Sequence, residues 1–211
     1  MKSSIVDIHL DALADNLRQL RAALAASTSL VMVVKADAYG HGLVPVARQA
    51  TAVGVDWFAV AYLREALAVR TVAPRANIVI LGAVEPSDVP VLVEQRILPI
   101  VVSEEHGRAL AGAAQQAGLR LSAHLKVDSG MGRFGLPWAE AVAAAERLAR
   151  LPGLALTGLC THFASIEPRK PALGPEQMER FRGIAEDVQR RLQEPLFRHA
   201  SSSRAFQYCP D

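Results

Sequence analysis

The feature that most constrains this chain is the alternation of short, unbroken apolar runs with longer amphipathic ones. Apolar runs of strand length, rich in β-branched residues, occupy 30–35, 56–61, 77–82, 97–102, 120–127, 154–161 and 196–200. Helix-like patterns separate them, for example over 45–52, 65–71, 104–117, 138–150 and 175–193. In the last of these Met178, Phe181, Ile184, Val188 and Leu192 recur on one side at helical spacing. An earlier helix is expected after Asp11, which can cap it, with Leu13, Leu17, Leu20 and Leu24 as its apolar stripe. Strands that are apolar on both faces need cover on both, so their alternation with helices argues for an α/β fold with a parallel sheet. About seven such units point to a (β/α)8 TIM-type barrel, incomplete by its last unit. An open doubly wound sheet is the alternative, and periodicity alone does not separate the two.

Composition narrows the class. With 51% hydrophobic and 21% charged residues over 211 positions, the chain can bury a core as one domain and does not read as disordered. A net charge of +2, with arginines scattered along helices, argues against a nucleic-acid partner. Cys160 and Cys209 show no paired spacing, so a reducing compartment is the simpler expectation than a disulfide framework. No apolar run approaches the roughly 20 residues that span a bilayer, and no signal core follows Met1. A cytoplasmic protein with no membrane partner is expected.

A barrel collects its chemistry at the C-terminal strand ends. Here those ends carry Lys35, Tyr62, Ser103, Lys126, Asp128, His162 and the serines at 201–203. The run that ends at Lys35 delivers an amine to the rim of the core. Desolvation there would disfavour the ammonium form and leave more of the free nucleophile that Schiff-base chemistry needs. The other reading is a lysine that ends its strand by extending its charged head into water. On the 120–127 run, Ser122, His124 and Lys126 share one face and Leu121, Ala123 and Leu125 the other, so the polar face should line the barrel interior. His162 admits two readings as well, a satisfied core histidine or a site residue. With Cys160 it gives two potential metal ligands, short of what zinc requires, so no metal site is expected. Gly130, Gly132 and Gly135 match G-x-G-x-x-G, but the next strand ends in Cys160, Thr161 and His162 with no acid for a ribose, and nucleotide binding is rejected.

Two of the strings are distinctive as wholes: Lys35-Ala36-Asp37-Ala38-Tyr39-Gly40-His41-Gly42 and Lys126-Val127-Asp128-Ser129-Gly130-Met131-Gly132-Arg133-Phe134-Gly135. With Thr161-His162-Phe163-Ala164 and, more weakly, His199-Ala200-Ser201-Ser202-Ser203, they resemble the N-terminal barrel portion of alanine racemases, pyridoxal-phosphate enzymes of fold type III. The resemblance implies that Lys35 carries pyridoxal 5'-phosphate as an aldimine and serves as one acid/base group at the Cα of an amino-acid substrate. It implies that Tyr39, Ser202 and Ser203 hold the cofactor phosphate. It places Arg133 near the ring oxygen and the substrate carboxylate, and His162 near the pyridine ring. Lys126 matches a lysine that is commonly carbamylated, although Asp128 could hold it instead, and His41 is taken as structural. The implied activity is interconversion of L- and D-alanine, supplying D-alanine for peptidoglycan, in a homodimer.

The match has departures. Ser202 stands where the family has asparagine, and Arg204 where a small residue is common. The resemblance assigns residues 1–10 to a strand that joins a C-terminal β domain and residues 11–211 to the cofactor-binding barrel. The β domain, the last barrel unit, an arginine on the pyridine nitrogen and the partner subunit's second-base tyrosine have no counterpart in this sequence. The expectation is therefore a racemase or its N-terminal portion. A single-domain barrel that binds the cofactor without racemising (cofactor homeostasis) and an inactive fragment remain as alternatives.

Overall fold

The structure, a computed structural model, describes residues 5–164 and 173–200. It comprises two compact units, Met1–Gly82 and Ala83–Asp211.

The first unit runs α1 (Leu10–Ala23), β1 (Val31–Val33), a short turn of helix (Lys35–Tyr39), α2 (Leu43–Ala52), β2 (Trp57–Val60), α3 (Leu63–Val72) and β3 (Asn77–Ile80). β1 pairs parallel with β2, Val31 opposite Trp57, and β2 pairs parallel with β3, Val60 opposite Ile80. Consecutive residues Phe58, Ala59 and Val60, and likewise Ile78, Val79 and Ile80, are buried. Burial without alternation means that both faces of these strands are covered, as the unbroken apolar runs require.

In the second unit a 3-10 turn (Pro86–Asp88) leads into α4 (Val89–Glu94), followed by β4 (Ile97–Val101), α5 (Glu104–Gln116), β5 (Leu121–Asp128), β6 (Leu136–Pro137), α6 (Ala141–Ala149), β7 (Leu154–Cys160), α7 (Leu173–Leu192) and β8 (Phe197–His199). The ladder runs β4, β5, β7, β8, all parallel, and β6 adds to β5 with Val127 opposite Leu136. Leu92, Ile97, Ile100, Leu110, Leu121, Leu125, Leu148, Leu154 and Leu159 are all but inaccessible. Burial of a side chain of that size stabilises by about 1.5–3 kcal/mol. A register shift between Ala123 and His124 falls opposite Gly158, where a Cβ would come within 2.6 Å of the His124 ring. Glycine at 158 therefore makes room for an imidazole inside the sheet.

Several boundaries differ from expectation. Helix α1 begins at Leu10, with His9 at its N-cap, so Asp11 lies in the first turn and acts on the helix dipole rather than as a cap. Its stripe is narrower than expected: Ala14 and Leu17 are buried, whereas Leu20 is exposed. Helix α6 starts at Ala141 rather than Trp138, because Trp138 lies outside it, half exposed, with the Arg180 guanidinium 5.4 Å over its ring. Within the segment 1–10 that the resemblance assigns to a strand, residues 5–9 have no regular structure, and Ile5 and Val6 are exposed. The short strand β6 and helix α4 were not anticipated. Among the described residues no helix is long and apolar enough to cross a membrane.

Candidate active site

In the first unit, β1 ends one residue before buried Val34, whose amide donates to Ala59 O at 2.8 Å. Lys35 follows, half-buried at the strand's end rather than enclosed as the sequence suggested. Among the described residues no hydrogen bond or ion pair engages its amine. The chain then turns with the wrong hand. Ala36, Asp37 and Ala38 have φ/ψ of 53/52°, 54/45° and 53/45°, and Tyr39 has φ 57°. L-residues pay roughly 1–2 kcal/mol each for that conformation, so a run of them stands only where local bonds enforce it. Those bonds are present. Ala38 N donates to Val34 O (2.9 Å), Gly40 N to Ala36 O (3.1 Å) and Gly42 N to Asp37 O (3.0 Å). The Asp37 carboxylate accepts from Leu43 N at 2.6 Å, and His41 Nδ1 donates to Ala38 O at 2.8 Å. The last contact gives His41 its structural role. Tyr39 projects from this turn 60% exposed, its phenol open to a ligand.

A buried acid that the sequence did not announce lies against the same turn. Glu65 is only 7% exposed, and its carboxylate accepts from Ala36 N (2.7 Å), Ala61 N (2.8 Å) and Tyr62 N (3.2 Å).

In the second unit, β5 presents His124 and Lys126 on one face, both buried, as the parity argument expected. Lys126 lies opposite Cys160 on β7, and Cys160 lies opposite His199 on β8. The Lys126 ammonium donates to Val127 O at 3.2 Å. Burial pushes its pKa below the ordinary lysine range and the Arg133 charge adds to this, while Asp128 opposes it. The Asp128 carboxylate does not hold Lys126 by hydrogen bonds. It accepts instead from the amides of Gly130, Met131 and Gly132 at 2.8–3.1 Å, closing the loop after β5. Those amides belong to the G-x-G-x-x-G string, so they are satisfied within the chain rather than aimed at a phosphate. Gly135, at φ +127°, brings the loop back over Lys126, where a Cβ would come within 2.9 Å of the lysine Cγ.

Arg133 sits on this loop, exposed, its guanidinium 5.5 Å from the centroid of the Phe134 ring. Of these two neighbouring cations, Lys126 is buried and Arg133 is not. His162 lies two residues past the end of β7, half-buried. A buried polar network supports both loops. Thr161 Oγ1 donates to Val127 O (2.9 Å) and meets Ser129 Oγ at 2.8 Å. Gln177 of α7, fully buried, donates to Ser129 Oγ (3.3 Å) and accepts from Ala164 N (2.9 Å).

Beneath this layer, His124 Nδ1 and His199 Nε2 are 2.8 Å apart, with the Phe197 ring stacked 5.9 Å from His124. Burial pushes His124 down to about 4. Burial, with the neighbouring His124 and Lys126 charges, takes His199 down to about 3. Both rings are thus neutral near pH 7, one donating to the other. Burial also raises the Cys160 thiol to about 12, which leaves it unreactive. Among the described residues no cluster of three or more His, Cys, Asp or Glu could hold a metal ion. Ser202 and Ser203 lie outside the described residues.

The structure thus places Lys35 and Tyr39 on one turn and, in the second unit, Lys126 near the end of β5, Arg133 on the loop that follows it and His162 just past the end of β7. Sequence reasoning missed Glu65, Gln177 and the His124–His199 contact. The only local signal among them was Glu65, three residues after Tyr62 at capping-box spacing.

Comparison with known proteins covers almost the whole chain. The family model for the alanine racemase N-terminal domain matches residues 8–210. Alanine racemase of Desulfovibrio desulfuricans is 36% identical over 205 residues, which is 97% of this chain and 55% of that protein. Alanine racemase of Syntrophobacter fumaroxidans is 36% identical over 182 residues, 86% of this chain and 48% of that protein. The solved alanine racemase of Clostridium difficile 630 superposes with a TM-score of 0.88 at 29% identity, over 99% of this chain and 56% of that one. The chain spans about half the length of the curated relatives it matches. This likeness decides between the barrel and the open doubly wound sheet: the fold is α/β, that of the TIM-type barrel portion of those enzymes. On the match over residues 8–210 together with these relatives, the chain belongs to the alanine racemase N-terminal domain family.

Proposed function

We propose that this chain is the cofactor-binding part of a pyridoxal-phosphate-dependent alanine racemase. The observation that carries the proposal is Lys35: a half-buried amine at a strand end, without a partner among the described residues, on a turn held in a costly conformation. A primary amine with no ion pair is free to bond an aldehyde, and the exposed Tyr39 hydroxyl on the same turn suits a phosphate oxygen. The residues present therefore fit the cofactor. When bound, pyridoxal phosphate supplies an electron sink for the charge left when the substrate Cα loses its proton.

The roles of the chain's own groups follow. Lys35 Nζ would hold the cofactor, and its amine would take or return the proton on one face of the substrate Cα. Tyr39, Ser202 and Ser203 hold the phosphate. The planar fork of Arg133, already exposed, binds the substrate carboxylate and the cofactor's ring oxygen. His162 orients the ring region. Lys126, with a depressed pKa, more readily sheds one proton to give the free amine; addition of carbon dioxide to that amine releases a second, so the cation becomes an anion near Arg133. In its full-length form the enzyme is cytoplasmic and homodimeric, and it supplies D-alanine to peptidoglycan. Family membership supports these last statements.

Exchange of the alanine α-proton tests the proposal without requiring a second base. With pyridoxal phosphate in D2O, the chain is expected to place deuterium at Cα of L-alanine, detected by loss of the α-proton signal. A chain that takes up the cofactor yet exchanges no α-proton would instead be a binding barrel without racemase chemistry.

A further inference from the structure

We propose that Glu65 is a positioning residue for Lys35: its buried carboxylate tethers the left-handed turn that sets the direction of the lysine. The proposal deepens the reading of Lys35 as the cofactor lysine and rests on it. The turn's internal bonds, Ala38 N to Val34 O, Gly40 N to Ala36 O and Gly42 N to Asp37 O, close it on itself. None of them engages the Ala36 amide, which belongs to the peptide plane shared with Lys35. That amide is met by Glu65 Oε1 at 2.7 Å, from 29 residues away. Rotation of this plane changes the backbone angle of Lys35 and swings its side chain, so fixing the plane aims the amine.

The other carboxylate oxygen anchors the tether. Glu65 Oε2 accepts from Ala61 N just past the end of β2 and from Tyr62 N at the N-cap of α3. A residue that only capped α3 would need the Tyr62 amide alone. The bond to Ala36 is the part that capping leaves unexplained. Glu65 is 7% exposed, so its carboxylate is satisfied by the chain's own amides, that of Ala36 among them, rather than by bulk water. The strain supplies the need: residues 36–39 hold φ of 53–57°, a conformation that persists only when its surroundings over-determine it.

The test uses Glu65→Gln, whose amide group offers one accepting oxygen in place of two, with Glu65→Asp, which withdraws both oxygens by one methylene. Backbone hydrogen exchange is read residue by residue. Amides of 36–42 are expected to exchange on the order of 10- to 100-fold faster in both variants, while those of β2 and β3 keep their protection. Adding Ala36→Gly, at an exposed position where glycine removes the left-handed penalty, is expected to restore most of that protection. Covalent uptake of pyridoxal phosphate at Lys35, trapped with borohydride at one cofactor concentration, is expected to fall in the single variants and recover in the double. Faster exchange confined to 62–66 would make Glu65 a helix cap only and overturn the proposal, as would failure of Ala36→Gly to rescue. If the parent chain takes no label at Lys35 while the exchange results hold, the cofactor reading falls and the tether stands.

Discussion

Taking the chain from pH 7 to pH 5 is expected to remove roughly 3–4 kcal/mol of folding stability through one buried contact, that between His124 and His199. The folded protein holds both rings neutral, with His124 down at about 4 and His199 at about 3. The unfolded chain binds their protons near the ordinary histidine value of about 6.5. Between that value and the folded ones, the unfolded state carries more protons, so stability rises with pH across the window. It is fully present above about 6.5 and lost as the solution becomes more acidic, by about 1.4 kcal/mol per pH unit for each histidine. A proton could not be accommodated easily, because Lys126 sits beside the pair on β5 and the fully buried, neutral Cys160 lies between the strands that carry them. Above pH 5 most carboxylates stay ionised, which isolates the histidines. Urea midpoints at pH 7, 6 and 5 measure the slope, and His199→Phe should roughly halve it. A flat profile over that range would contradict the burial of a neutral pair.

Replacing Lys35 with alanine is expected to lower α-proton exchange of alanine by at least about 10²–10⁴-fold, the contribution of a positioned acid/base group, and to remove the covalent cofactor altogether. The same change should leave stability within about 0.5 kcal/mol, since the side chain is half-buried and makes no hydrogen bond or ion pair among the described residues. Exchange rates by proton NMR and a urea melt of the same sample separate the two. Exchange that survives in Lys35→Ala would move the chemistry to another amine.

The pattern of elements was legible because unbroken apolar runs report strands covered on both faces. The run over 120–127 became β5 and that over 154–161 became β7 within a residue or so. The face shared by His124 and Lys126 followed from parity alone. What stayed hidden has physical reasons. Alanine at 36 and 38 favours right-handed backbone, so nothing local announces a left-handed turn; that turn is imposed by bonds from Glu65 and by Asp37 on Leu43. Glu65 looks like an ordinary helix-opening acid, because its partner Ala36 is 29 positions away. Gln177 reads as a solvated polar residue in a charged helix, yet it is fully buried between Ser129 and Ala164. The contact between His124 and His199 joins residues 75 apart and could not be seen before the strands were ordered. Local strings marked the strand ends and the turn, and distant pairings supply the support.

The most direct test of the account is to incubate the chain with pyridoxal 5'-phosphate, reduce with borohydride and map the modified peptide by mass. The account predicts one stable pyridoxyl group, on the ε-nitrogen of Lys35. A label on Lys126 or spread over surface lysines, with Lys35 unmodified, would contradict it.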